Sequence, residues 1–396
     1  MTSADNLENN SISGLESAKT NCLAITILAS VTVARWASTL FSPAPLFDEA
    51  IYLDAFRTVA AGQSPYSVYG YYYPPPFAVL GGWLLTTLGQ PLLLLLIRGL
   101  VVLGLVLTVW LSLIWWRTPV WRRLVVGGLY LCVAPAVGLG MRTGNISFLV
   151  IGAIIPALMF WKFRPILSGL LLGSSVAIKP IAPLAALVLL VHRPGEGGYR
   201  QVVAGLTAGM AMLGSLFPIV AFLEMFSQNI AALSLNRSIS LHRLFSLAGI
   251  EINPLIAVVI VGVIAIVVSR LRPLDEADLL CVALTAAIWS VPLIWTHTLL
   301  LTLPVQMLAV VRALDRRRYW RSKGTRSNRT VEIHRFELWL VLVSVASIQL
   351  AEGAGSVDRM DSWIQLTALG IPFVAPAALA GYVLWTSPAT ARAAPN

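Results

Sequence analysis

The chain has 396 residues, of which 57% are hydrophobic and 12% charged, with a formal net charge of +10 and a mean hydropathy of +0.79. An ordinary soluble domain carries roughly 25% charged residues, so a water-soluble enzyme is excluded, and a sequence without short alternating segments excludes a transmembrane barrel. The basic residues sit in loops between apolar runs, which argues for helix orientation in a membrane rather than for a nucleic-acid partner.

From the N-terminus, residues 1–20 contain Asp5, Glu8 and Glu16 and lack a basic segment leading into a short apolar core and a cleavage site. They read as a retained, mobile cytosolic tail ahead of a transmembrane domain over 21–386. Apolar stretches of about 20 residues, long enough for a hydrocarbon core about 30 Å thick, then recur to the end of the chain. They predict an all-α polytopic membrane protein of about twelve transmembrane helices, near 22–41, 91–115, 124–141, 146–161, 165–178, 181–192, 202–223, 254–269, 279–296, 298–312, 336–352 and 364–386. The first loop, 42–90, is predicted to carry two interfacial helices. One runs from Asp48 to Gly62, with Ile51, Leu53, Phe56, Val59 and Ala60 among polar residues, and a second from Tyr72 to Leu88. The spans 165–178 and 181–192 are too short to cross upright and meet at Lys179-Pro180, where the proline disfavours helical geometry at Lys179. Residues 313–335 form a basic cytosolic loop and 387–396 a cytosolic tail. Cys22, Cys132 and Cys281 fall in apolar segments, where cysteine behaves as a small hydrophobe.

Most of the 28 Lys and Arg residues fall in alternate loops, which by the positive-inside bias puts both termini in the cytosol of a bacterial plasma membrane and the first loop outside. Asp48, Glu49, Asn145, Lys179, Asn236, Arg237, Arg243, Trp295 and His297 then share the exoplasmic side. Ionisable residues near membrane depth face a wet cavity or a partner, and Arg35 and Arg98, inside spans, are read as facing that cavity or snorkelling. The shared sidedness points to an outward-facing polar site suited to transfer from a phosphorylated donor.

Several short motifs carry a resemblance to a family. Asp48-x-x-x-Tyr52, Gly62-x-x-x-Tyr66 and Tyr73-Pro74-Pro75 form a first-loop pattern. Ala177-Ile178-Lys179-Pro180, Asn236-Arg237-Ser238 and Pro292-x-x-Trp295-x-His297 follow in order. Together they resemble the polytopic GT-C-type glycosyltransferases that use polyprenyl-phosphate sugars, of the family 87 kind. That group includes mannosyltransferases of phosphatidylinositol mannoside synthesis and related arabinofuranosyltransferases. Four positions depart from the family pattern: Asn145 and Ser147 stand in place of the Gln and Asn of a Gly-Gln-x-Asn element, Arg237 replaces a common Gln, and Thr298 stands where a second His is often found.

The resemblance implies Asp48 as the catalytic base, with His297 orienting it, sharing the proton or bonding the sugar. Lys179, Arg237 and Arg243 are the candidates for the donor phosphate, and Glu49, Tyr52, Tyr73, Asn145, Asn236 and Trp295 for contacts with substrate. The donor is a polyprenyl-phosphate sugar, mannose first and arabinofuranose as the alternative, and the acceptor a glycolipid or polysaccharide. No cofactor and no metal is expected, because the exoplasmic acids form no recognisable oxygen-rich cluster. Membrane lipids are the remaining partners, and the chain is expected to be a monomer. Blander readings stand beside these: Asp48 as a helix cap, Lys179 as a snorkelling residue, Arg237 and Arg243 as solvated loop charges, and Tyr71 to Tyr73 as an aromatic belt. Two rival classes also fit the sequence, a transporter or flippase of lipid-linked sugars and an inactive scaffolding relative.

Overall fold

The structure, a computed structural model, describes residues 4–114, 118–161, 163–179, 182–192, 200–203, 205–207, 245, 248–250, 254–271, 274–290, 301–322, 337–346 and 362–386. Among the described residues every regular element is helical and none is a strand. The elements are α1 (Ala4–Leu40), α2 (Phe47–Ala60), α3 (Pro75–Ile114), α4 (Val120–Val133), α5 (Pro135–Thr143), α6 (Ser147–Phe160), α7 (Pro165–Ile178) and α8 (Ala182–His192). They continue as α9 (Pro254–Leu271), α10 (Glu276–Ser290), α11 (Leu303–Ser322), α12 (Glu337–Ala346) and α13 (Ser362–Trp385). The leader expected as a tail is thus helical from Ala4 onward.

Two stretches are long and apolar enough to cross a bilayer outright, Lys19–Leu40 within α1 and Pro75–Ile114. The second is broken at Gly89, where φ is 73° and ψ 164°. The break falls between the interfacial helix expected to Leu88 and the span expected from 91, so α3 contains both, with Pro75 in the first turn where a missing N–H costs nothing. The span expected over 124–141 is different: α4 and α5 meet at an angle of 53°. Pro135 causes this, holding Ala134 at φ −61°, ψ 119° and opening the next helix. Several other helices match expected segments but are short, α6 and α7 having 14 residues each. The twelve crossings expected from hydropathy are therefore not all present as full-length helices among the described residues, and the span 202–223 is described only at its start.

The buried apolar side chains form two clusters. One joins α1 through α5 around Leu28, Phe56, Leu105, Val109 and Trp110, and the other joins α6, α8, α10 and α11 around Ile154, Val188, Leu284 and Val305. Helix α3 couples them by crossing α6 at Gly104 and Gly152. A Cβ on Gly104 would lie 2.5 Å from the Phe148 carbonyl oxygen, and one on Gly152 would lie 2.7 Å from the Gly104 Cα. Only glycine permits this backbone approach, which brings the start of α6 against the middle of α3.

Helix α2 is the element that matters for function. Its buried side is Asp48, Glu49, Tyr52, Leu53, Ala55 and Phe56. Both acids thus turn inward with the aromatic residues, while Asp54 and Arg57 face outward.

Candidate active site

Acids are favoured in a first helical turn, where unpaired N–H groups and the helix dipole present positive charge. Asp48 and Glu49 occupy the second and third positions of α2, and their side chains diverge. Glu49 accepts the Leu46 N–H at 2.8 Å, half of a capping box. It also takes a two-pronged contact from Arg98, Nε to Oε1 at 2.9 Å and Nη2 to Oε2 at 2.7 Å. The two side chains are 0% and 5% exposed. Glu49 had been expected to touch substrate; here both of its oxygens are taken by protein donors. Arg98 had been expected to face a cavity or snorkel; its guanidinium is instead enclosed by Glu49 and the chain between α1 and α2. Arg35 is exposed, its guanidinium 4.5 Å above the Trp36 ring.

Asp48 points the other way, into the turn between α5 and α6. Gly144 ends α5 with φ 74°, the left-handed conformation that glycine adopts without strain, and so turns Asn145 toward α2. Asn145 Nδ2 donates to Asp48 Oδ2 at 2.7 Å. The other end of the amide accepts from the Ser147 N–H at 2.9 Å, from the Ser147 hydroxyl, and from Lys179 Nζ at 3.3 Å. Three donors on one oxygen leave the nitrogen no orientation except toward the carboxylate. Lys179 Nζ also donates to Ser147 Oγ and lies 5.8 Å from the centre of the Tyr73 ring. Lys179 is in extended geometry (φ −142°, ψ 133°), as Pro180 requires, and this break in the helices aims its side chain inward. Tyr52 and Tyr73 close the site from the first loop, hydroxyl to hydroxyl at 2.9 Å, with their rings packed edge to face at 5.1 Å.

The site is buried: Asp48 is 8% exposed, Lys179 7% and Asn145 0%. Burial raises the Asp48 carboxyl above the ordinary Asp value, against the lowering effects of the Asn145 hydrogen bond, the Lys179 charge and the Thr143 hydroxyl. Burial likewise pushes the Lys179 ammonium down to about 8, with the Asp48 charge opposing it. Burial also pushes the Tyr52 and Tyr73 phenols up, so both remain neutral hydroxyls. An acid of raised pKa is a stronger base once ionised, and a fixed ammonium in a dry site stabilises developing negative charge better than one in water.

Five sequence-predicted site residues, Asp48, Tyr52, Tyr73, Asn145 and Lys179, therefore meet in one place although they come from four separate parts of the chain. Asn236, Arg237, Arg243, Trp295 and His297 lie outside the described residues. The site adds Ser147 and Thr143, to which the sequence assigned no site role although both flank Asn145 within two positions. Arg98 carried a signal of its own, as an ionisable residue inside an apolar run. Among the described residues no three His, Cys, Asp or Glu side chains come together.

Apolar helices around a buried carboxylate, amide and ammonium define a polytopic membrane protein with an enzyme-like polar site. The chain belongs to glycosyltransferase family 87, whose model matches residues 71–296, so it is a glycosyltransferase. The matched segment contains Tyr73, Asn145 and Lys179; Asp48 precedes it and His297 follows it. No curated protein and no solved structure matches the chain.

Proposed function

We propose that the chain is an inverting transferase that moves a sugar, mannose first, from a polyprenyl-phosphate donor to a glycolipid or polysaccharide acceptor at the outer face of the bacterial plasma membrane. The observation that carries this reading is the placement of Asp48, buried and aimed by Asn145 beside the Lys179 cation. Asp48 takes the proton of the acceptor hydroxyl while the acceptor oxygen forms its bond to the anomeric carbon. The bond from that carbon to the donor phosphate breaks, and the electron pair leaves on the phosphate oxygen. Lys179, with Arg237 and Arg243, meets the charge on the departing phosphate, and His297 orients Asp48, shares its proton or bonds the sugar. The reading assigns the phosphate charge to these side chains and expects no metal.

The test is to incubate the purified protein with radiolabelled polyprenyl-phosphate mannose and candidate glycolipids, beside Asp48→Ala. Labelled glycolipid from the parent protein and none from folded Asp48→Ala is the expected result. Movement of intact donor across liposomes without transfer would favour a flippase, and a folded Asp48→Ala protein that transfers at the parent rate would sink the mechanism. Polyprenyl-phosphate arabinofuranose in a parallel reaction decides the sugar.

A further inference from the structure

The base assignment leaves unexplained how a single carboxylate on a short helix is held against a turn nearly a hundred residues away. Arg98, from the spanning arm of α3, supplies the physical means. A guanidinium has five N–H donors in a rigid plane, and all five find acceptors here. Nε and Nη2 hold the two oxygens of Glu49 at 2.9 and 2.7 Å. Nη1 donates to the carbonyls of Leu40 at 3.0 Å and Ser42 at 2.6 Å, and Nη2 also donates to the carbonyl of Ala44 at 2.9 Å. One side chain thus ties the end of α1, the connection to α2 and the first turn of α2 to a membrane helix. Glu49 is in turn packed against the α5–α6 turn: a Cβ on Gly144 would lie 2.6 Å from Glu49 Cγ and 2.9 Å from its Cδ. Asn145, the next residue, holds Asp48 at 2.7 Å.

The contacts form a closed circuit from Arg98 to Glu49, Gly144, Asn145 and Asp48. We propose that Arg98 and Glu49 are positioning residues that set the register of α2 against the α5–α6 turn, and thereby the orientation of Asp48 in the transferase reaction. This rests on the reading of Asp48 as base. Lysine cannot replace Arg98, because an ammonium has three donors and no planar fork. The pair also has an electrostatic consequence. The Glu49 charge raises the Asp48 carboxyl, and Arg98 screens that charge at close range, while Lys179, Asn145, Thr143 and the Tyr52 and Tyr73 phenols are the other groups that interact with Asp48.

The test compares Arg98→Lys and the isosteric Glu49→Gln with the parent protein. The expected result is folded protein of lowered melting temperature, because each change disrupts a buried ion pair, with kcat per folded molecule reduced roughly 10²-fold, the size of effect that misplacement by about 1 Å produces. Donor KM should stay near the parent value, and the acid limb of the kcat profile should move. Folded variants with parent kcat and parent acid limb would overturn the proposal. Hydrogen exchange at the amides of Ala50 to Leu53 supplies a readout that needs no activity. Faster exchange there in either variant, with α7 unchanged, supports the lock, and unchanged exchange overturns it. A parent protein inactive with every donor would overturn the transferase reading alone and leave the exchange measurement to decide the lock.

Discussion

Asp48 and Asp278 are both buried carboxylates at the start of a helix, and the molecule treats them in opposite ways. Asp278 lies 2.7 Å from Arg312 Nη1 and is fully buried, while the same guanidinium contacts Asp275 at 3.4 Å and the Val383 carbonyl. Arg316 adds a contact to Glu337 at 3.5 Å and lies 4.6 Å over the Trp385 ring. Those arginines join α10, α11, α12 and α13 with charge set directly against charge. At Asp48 the neighbouring cation Lys179 is reached through the amide of Asn145. Direct pairing quenches a charge and fixes helices; a bridged pair leaves the carboxylate basic and the ammonium able to meet another anion. Glu49 next door follows the first pattern, so the contrast holds even between adjacent residues of one helix.

The largest effect expected from breaking this contrast is at Asp48. Asp48→Asn should cost about 10²–10⁴-fold in kcat, the usual contribution of a positioned general base, with no loss of melting temperature, since a charge that burial disfavours has been removed. Arg312→Gln should do the reverse. Removing the Arg312 charge from beside the buried Asp278 carboxylate costs about 3–5 kcal/mol, read as a lower melting temperature in detergent, with transfer per folded molecule unchanged.

A smaller effect is the pH profile. Burial raises the Asp48 pKa, and the proposed base must be ionised, so activity should rise with pH through that raised value. Lys179, lowered to about 8, loses its charge above that pH, so activity falls there. Lys179→Arg should abolish the alkaline limb while keeping a cation. The stability linkage has matching signs. The proton on Lys179 is released earlier in the folded than in the unfolded chain, so stability rises with pH between about 8 and the ordinary lysine value near 10.4. The raised Asp48 contributes stability at low pH that is lost as pH rises through its folded value. The smallest effect is at the exposed pair Arg57 and Asp54, 54% and 58% exposed and 2.8 Å apart. Asp54→Asn should change stability by less than about 1 kcal/mol and leave transfer unchanged, which separates exposed pairs from both buried kinds.

Much of this was legible in the sequence because it rests on local rules. Hydropathy located the apolar segments, and Lys179-Pro180 announced an extended residue between short helices. The order of motifs brought Asp48, Tyr73, Asn145 and Lys179 into one expectation before their contacts were known. Three features were not legible, for reasons that can be named. Glu49 meets Arg98 across 49 positions, and nothing in the spacing of an acid in a loop and an arginine in a span specifies that pairing. The inward face of α2 includes its acids because Arg98 of α3 and Asn145 of the α5–α6 turn meet them there, which an amphipathic pattern counting only apolar residues misses. The bend between α4 and α5 was signalled by Pro135, but the apolar run through Val133 and Ala134 masked it in a hydropathy window.

The most direct measurement of the central claim is a structure of the protein with an unreactive phosphonate analogue of the polyprenyl-phosphate sugar. The account predicts the anomeric carbon facing Asp48, with space for an acceptor hydroxyl about 2.6–3.2 Å from its carboxylate and the phosphonate on the Lys179 side. A sugar bound beside the Arg312 cluster, or separated from Asp48 by protein, would contradict it.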